Sequence, residues 1–181
     1  MTNNSEPNIP NEFYNFDSGQ PFSTCLVCNE SLLDPPKQYM VEKTIRRYPE
    51  MDHEDIIYEY AICLECIMKQ QEFISEESKQ SIAQYMSNVK VTGEVDELPR
   101  QCVIHGTSKE EMREYMIQGL FFGDTQNTQM PYILLGEKAI NEIQEVLSQK
   151  TRDGMDGFMD KYYGGPPEFR EMLRERKTVI I

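Results

Sequence analysis

"YEYAICLECIMKQQEFIS" (residues 58–75) changes its patterning partway along. Up to Cys63 it alternates aromatic and β-branched residues with polar ones, which predicts a strand. From Cys63 onward the spacing turns helical. Ser75 then reads as a fresh N-cap, followed by acids suited to a helix first turn. The spacing predicts a short helix over 64–74 and a second over 76–88. Two cysteines, Cys63 and Cys66, sit where strand gives way to helix, separated by two residues.

Upstream, "CLVC" supplies an equivalent pair, Cys25 and Cys28, so the four follow C-x2-C-x34-C-x2-C. Two intervening residues let one tight turn aim both thiolates at one ion. Two such pairs complete a tetrahedron of sulfur, which suits zinc. The second pair opens a predicted helix, whose positive end favours thiolate. The 34-residue spacer holds two strand-like runs, "QYMVEKTIRRY" from Gln38 and "DIIYEYAI" from Asp55, with "PEMDHED" as the turn between them. The expected cofactor is one structural Zn2+ per chain on Cys25, Cys28, Cys63 and Cys66. A dithiol redox couple and another metal are the alternatives. Redox chemistry of the thioredoxin type needs one Cys-x-x-Cys on a βαβ frame rather than two pairs. A closed four-thiolate site keeps no open position for substrate, which argues against zinc catalysis. His53, in the charged turn, is expected to be solvated.

A knuckle pair, a hairpin and a second pair at a helix start resemble the treble-clef zinc-finger group. The resemblance covers residues 22–75 and rests on the four cysteines. Leu26 and Asn29 stand where Pro and Gly are frequent in the group. The group serves many functions, so the resemblance implies a fold and a structural metal rather than an activity.

A shift of 73 residues lays 63–86 over 136–159 without gaps. It gives identities at Ile67/Ile140, Gln71/Gln144, Glu72/Glu145, Ser75/Ser148 and Met86/Met159. Upstream, "CLVCNES" (25–31) matches "CVIHGTS" (102–108), and "YMV" at Tyr39 matches "YMI" at Tyr115. Asn29 and Gly106 coincide, both residue types that tolerate positive φ. The expected fold class is therefore α+β, with two tandem treble-clef-like units, each a knuckle, a β-hairpin and two helices. In the second unit, Cys102 and His105 keep ligand types, but Gly136 and Ala139 replace the second cysteine pair. Two ligands do not close a structural site. This unit is expected to be degenerate, with side-chain packing in place of metal and Cys102 and His105 as a relic or weak second site.

The expected organisation is a flexible N-terminal arm over 1–20, the zinc unit over 21–90, a linker over 91–101, the degenerate unit over 102–165 and a basic C-terminal helix or tail over 166–181. Phe13, Tyr14, Phe16 and Phe22 punctuate the arm and its exit. They are expected to tack it onto the body, with docking of a partner as the alternative. "YYGGPPEF" (162–169) is expected to turn the chain back onto the body.

The chain has 181 residues and net charge −13. Residues 1–100 carry 18 acids and 8 bases, residues 101–181 carry 13 and 10. Such acidity disfavours phosphate backbones and anionic membranes. No leader-like N-terminus and no run of 18 apolar residues is present, which points to the cytoplasm. The cysteine count, five, does not suit a disulfide framework. No phosphate loop, nucleophile elbow or H-E-x-x-H motif occurs. The expected function is a non-enzymatic, zinc-held module that binds a protein partner. A basic tail beside an acidic front half would also suit self-association. The rival reading is a redox-responsive protein or enzyme using Cys102 with His105; nucleic-acid binding through the zinc unit ranks below both.

Overall fold

The computed structural model describes residues 8–87, 98–126 and 130–163. Its strands are β1 (Gln38–Tyr48), β2 (His53–Cys63), β3 (Glu114–Phe122), β4 (Thr125–Gln126) and β5 (Ile133–Gly136). Its α-helices are α1 (Leu64–Gln70), α2 (Glu76–Met86), α3 (Glu137–Val146) and α4 (Gln149–Tyr163). The class is mixed α+β, as expected. The named strands pair antiparallel in the order β2-β1-β3, and β4 and β5 share the far side of β3. Among the described residues no helix is long and apolar enough to cross a membrane. Residues 91–97 of the expected linker and the expected basic helix over 166–181 lie outside the described residues.

The predicted hairpin joins β1 to β2 through a 3-10 turn at Pro49–Met51, which Asp52 closes in the left-handed region at φ 48°. Aspartate tolerates that region because its short polar side chain bonds locally. The helix expected over 64–74 ends sooner, at Gln70, and tightens into a 3-10 turn at Gln71–Phe73. Ser75 caps α2 as its sequence position suggests, accepting from the Ser78 N–H at 3.1 Å.

The predicted strand β1 is buried on both faces from Tyr39 to Ile45. One face is covered by α4, where Phe158 meets the Tyr60 ring edge-on at 5.9 Å. The Tyr163 hydroxyl donates to the Glu59 carbonyl at 2.6 Å. The other face is covered by residues from the expected arm. Ile9 and Phe13 are buried, and the Phe13 ring lies 5.1 Å from Phe121 and 4.9 Å from Tyr132. Two charged residues of β1 are consequently internal. Lys43 ion-pairs with Glu59 at 2.8 Å and also donates to the Tyr14 carbonyl. Glu42, on the α4 side, is fully buried.

Antiparallel strands followed by two helices occur twice, as β1-β2-α1-α2 and as β3-β4-β5-α3-α4, and the second helix of each run leans on the other run. Gly154 of α4 sits against Phe73, while Tyr85 of α2 donates to Glu142 of α3. The N-termini of α2 and α4 meet through their capping serines, Ser75 Oγ to Ser148 Oγ at 2.8 Å. Their amides cross over in the same manner, Ser75 N–H to Thr151 Oγ1 at 3.0 Å and Ser148 N–H to Ser78 Oγ at 2.9 Å. In the sheet, β1 and β3 join with Glu42 opposite Gln118. Residues of both expected units therefore share one sheet and one buried cluster.

Candidate metal centre

The sulfurs of Cys25, Cys28, Cys63 and Cys66 all lie within 4.8 Å of one another. Cys28 Sγ and Cys63 Sγ are 3.9 Å apart. A tetrahedron with metal–sulfur bonds of about 2.3 Å has edges of about 3.8 Å, so the spacing suits a single ion. All five cysteines are free thiols.

Local structure explains how the four converge. The first pair sits on a tight turn in which the Asn29 N–H donates to the Cys25 carbonyl at 2.9 Å, with Asn29 at φ 60°. The Leu26 N–H fastens this turn to the end of β2 through the Ala61 carbonyl, 2.9 Å. The second pair begins where β2 stops. Cys63 is the last residue of the strand and the N-cap of α1, and Cys66 lies in the first turn. The turn and the strand-to-helix junction thus face each other by backbone pairing rather than through the sulfurs alone.

Burial works against ionising the Cys25 thiol. The N–H groups of Cys28, Cys63 and Val27 at its sulfur outweigh that cost and hold it below its usual value. The bonds from Val27 and Cys63 are both 3.4 Å. Burial pushes the Cys63 and Cys66 thiols up, and the neighbouring sulfurs push Cys66 further. Several thiolates crowded together repel, and a divalent cation among them reverses that balance by deprotonating its ligands outright. Cys25, Cys63 and Cys66 are buried, and Cys28 is exposed.

The stretch aligned with it in the second run keeps the turn but only one of the four cysteines, Cys102. The Gly106 N–H donates to the Cys102 carbonyl at 2.8 Å, with Gly106 at φ 65°, and Val103 N–H pairs with the Leu134 carbonyl at 2.9 Å. A side chain built on Gly136, the position that the 73-residue shift aligns with Cys63, would meet the Met112 thioether, its Cβ 2.9 Å from the sulfur. Ala139 is fully buried at the Cys66 position. Cys102 is buried, while His105 turns to Glu142, Nε2 to Oε2 at 2.7 Å. Glu142 also accepts from Tyr85, a bond that with His105 beside it holds the carboxyl below its usual value. The structure therefore brings the four predicted ligands together, and Cys102 and His105 belong to a turn tied to α3 by Glu142. Sequence reading missed Met112, Glu142 and Tyr85. Tyr85 and Glu142 are 57 residues apart, and no local periodicity joins them. His53, expected to be solvated, is exposed with its ring 2.7 Å from Asp55.

No protein-family model, no curated protein and no solved structure matches this chain.

Proposed function

We propose that Cys25, Cys28, Cys63 and Cys66 hold one structural zinc ion, and that the protein is a non-enzymatic module for docking a protein partner. The observation that carries the zinc reading is the convergence of four sulfurs to within 4.8 Å of one another, on a turn and a helix start that backbone bonds already place. Closed thiolate sites favour structural zinc, because no ligand position remains for water or substrate. The two runs are read as treble-clef-like units from one internal duplication. Support comes from the paired turns at Cys25 and Cys102, the two positive-φ residues at matching places and the reciprocal serine caps. In the second unit Met112, Ala139 and the Glu142 clasp take over the fastening.

Leu64, Met68 and Phe122 supply a docking face. They are exposed apolar side chains that line a groove of about 300 Å³ beside Cys63. Clustered apolar exposure of this kind marks interaction sites.

The zinc content of reduced protein tests the metal. About one ion per chain is expected, falling below about 0.5 in Cys66→Ser and unchanged in Cys102→Ala. Wild-type protein with less than about 0.5 ion per chain contradicts the site. For docking, Met68→Glu is expected to remove proteins that crosslink to the wild type in cells; an unchanged set contradicts this face.

A further inference from the structure

β1 and β3 are where the two runs of the chain join into one sheet, and the middle of that seam is a carboxyl group. Glu42 has no exposed surface and faces Gln118 across the seam. Among the described residues, the groups around it are neutral. From β2 the Tyr58 hydroxyl donates to Oε1 at 3.4 Å, and the Tyr60 hydroxyl lies alongside. From β3 the Gln118 amide donates to Oε2 at 3.3 Å. From α4, Tyr163 lies close enough for its hydroxyl to feel the Glu42 charge. Lys43 is on the opposite face of β1, ion-paired with Glu59. Hydrogen bonds of 3.3–3.4 Å are long and weak, and they do not replace the hydration that a carboxylate loses on burial.

We propose that Glu42 is a pH-sensitive latch on the β1–β3 seam: protonated it closes the join between the two runs, and ionised it loosens that join. Protonated, Glu42 is a neutral polar group like Gln118 opposite it. Its O–H also gives the cluster a donor that the carboxylate lacks. Ionised, it places an uncompensated charge at the centre of the sheet. Burial is the main influence on the group and pushes its pKa up to about 8. Tyr58, Tyr60 and Gln118 pull it down without overcoming burial.

The sign follows from where the proton leaves. The unfolded chain releases it near the ordinary carboxylate value, and the folded chain retains it until about 8. Folded protein therefore binds more protons than unfolded protein between these values, and stability falls as pH rises through the interval. It levels off above the folded value, with the charge inside.

Two measurements test the latch, both in excess zinc. The first follows the Glu42 carboxyl carbon by NMR in the wild type. Titration above pH 7 is expected; a carboxylate signal already complete at pH 6 overturns the proposal. The second compares denaturant unfolding of wild type and Glu42→Gln, and the difference between them removes zinc-linked protons from the comparison. From pH 6 to 8.5 the wild type is expected to lose a factor on the order of 50–100 in its folding constant relative to Glu42→Gln. Parallel profiles overturn the latch. If the variant does not fold, the wild-type titration decides alone.

Discussion

Ser148→Ala removes one hydroxyl from the place where the two runs meet at their helix ends. Ser148 Oγ accepts from the Thr151 N–H at 3.3 Å and so caps α4. It also bonds Ser75 Oγ at 2.8 Å, Ser78 Oγ at 3.1 Å and Thr151 Oγ1 at 3.2 Å. Loss of the cap costs about 1 kcal/mol. Ser78 and Thr151 are fully buried, so water does not replace the missing partner, and leaving a buried hydroxyl short of one costs about 1–3 kcal/mol. Part of the cluster survives, since Ser78 Oγ still accepts from the Ser148 N–H. The expected total is roughly 2–3 kcal/mol. In a chain of this length that lowers Tm by roughly 5–10 °C. Ser75→Ala is expected to cost a similar amount, because Ser75 caps α2 and shares the same cluster. The assay is denaturant unfolding of both single variants and the double. Residues in one hydrogen-bond network couple by about 0.5–3 kcal/mol, so the double variant should lose less than the sum by at least about 1 kcal/mol. Losses that add to within about 0.3–0.5 kcal/mol would refute an energetic link between the helix ends.

Two glycines of α4 should respond in opposite directions. A Cβ on Gly157 meets nothing within 4 Å, so Gly157→Ala should stabilise by about 0.5–1 kcal/mol through helix propensity. A Cβ on Gly154 would fall 2.7 Å from the Phe73 ring, so Gly154→Ala should lose about 1–3 kcal/mol to overpacking, read by thermal unfolding. Phe13→Ala opens the core against Phe121 and Tyr132 and should cost about 3–5 kcal/mol in the same assay; a change below about 1 kcal/mol would place Phe13 outside the cooperative fold. Cys63→Ser should lower Tm of protein purified with excess zinc by more than Cys102→Ser does, because Cys63 belongs to the proposed four-cysteine site and the Cys102 turn is tied to α3 through His105 and Glu142.

Spacing carries the parts of this molecule that depend on neighbours along the chain. Cys-x-x-Cys repeated across a hairpin-sized interval announces four converging sulfurs, and Ser75 announces a helix start. The 73-residue shift aligns Ser75 with Ser148, and the structure sets these two hydroxyls in direct contact. Partnership across the chain is less legible. Glu42 and Lys43 are charged neighbours that point to opposite faces of β1, and both are buried because α4 and the 8–20 segment cover those two sides. No periodicity tells a helix to pack on the other run, so the exchange of α2 and α4 is absent from local patterns. The contacts around the Cys102 turn are equally hidden. Tyr85 lies on α2 and Glu142 on α3, and three-dimensional proximity alone unites them with His105; Met112, before β3, likewise meets Gly136 only in the folded chain.

The central claim is that an ion fastens the first run where side chains fasten the second. Hydrogen exchange before and after a strong zinc chelator tests it, with peptides resolved for each run. Protection at residues 25–28 and 61–73 should fall by at least about tenfold, which is about 1.4 kcal/mol of local opening, while residues 102–105 and 134–146 change little. Unchanged protection at 25–28 and 61–73, or an equal loss in both runs, would contradict the account.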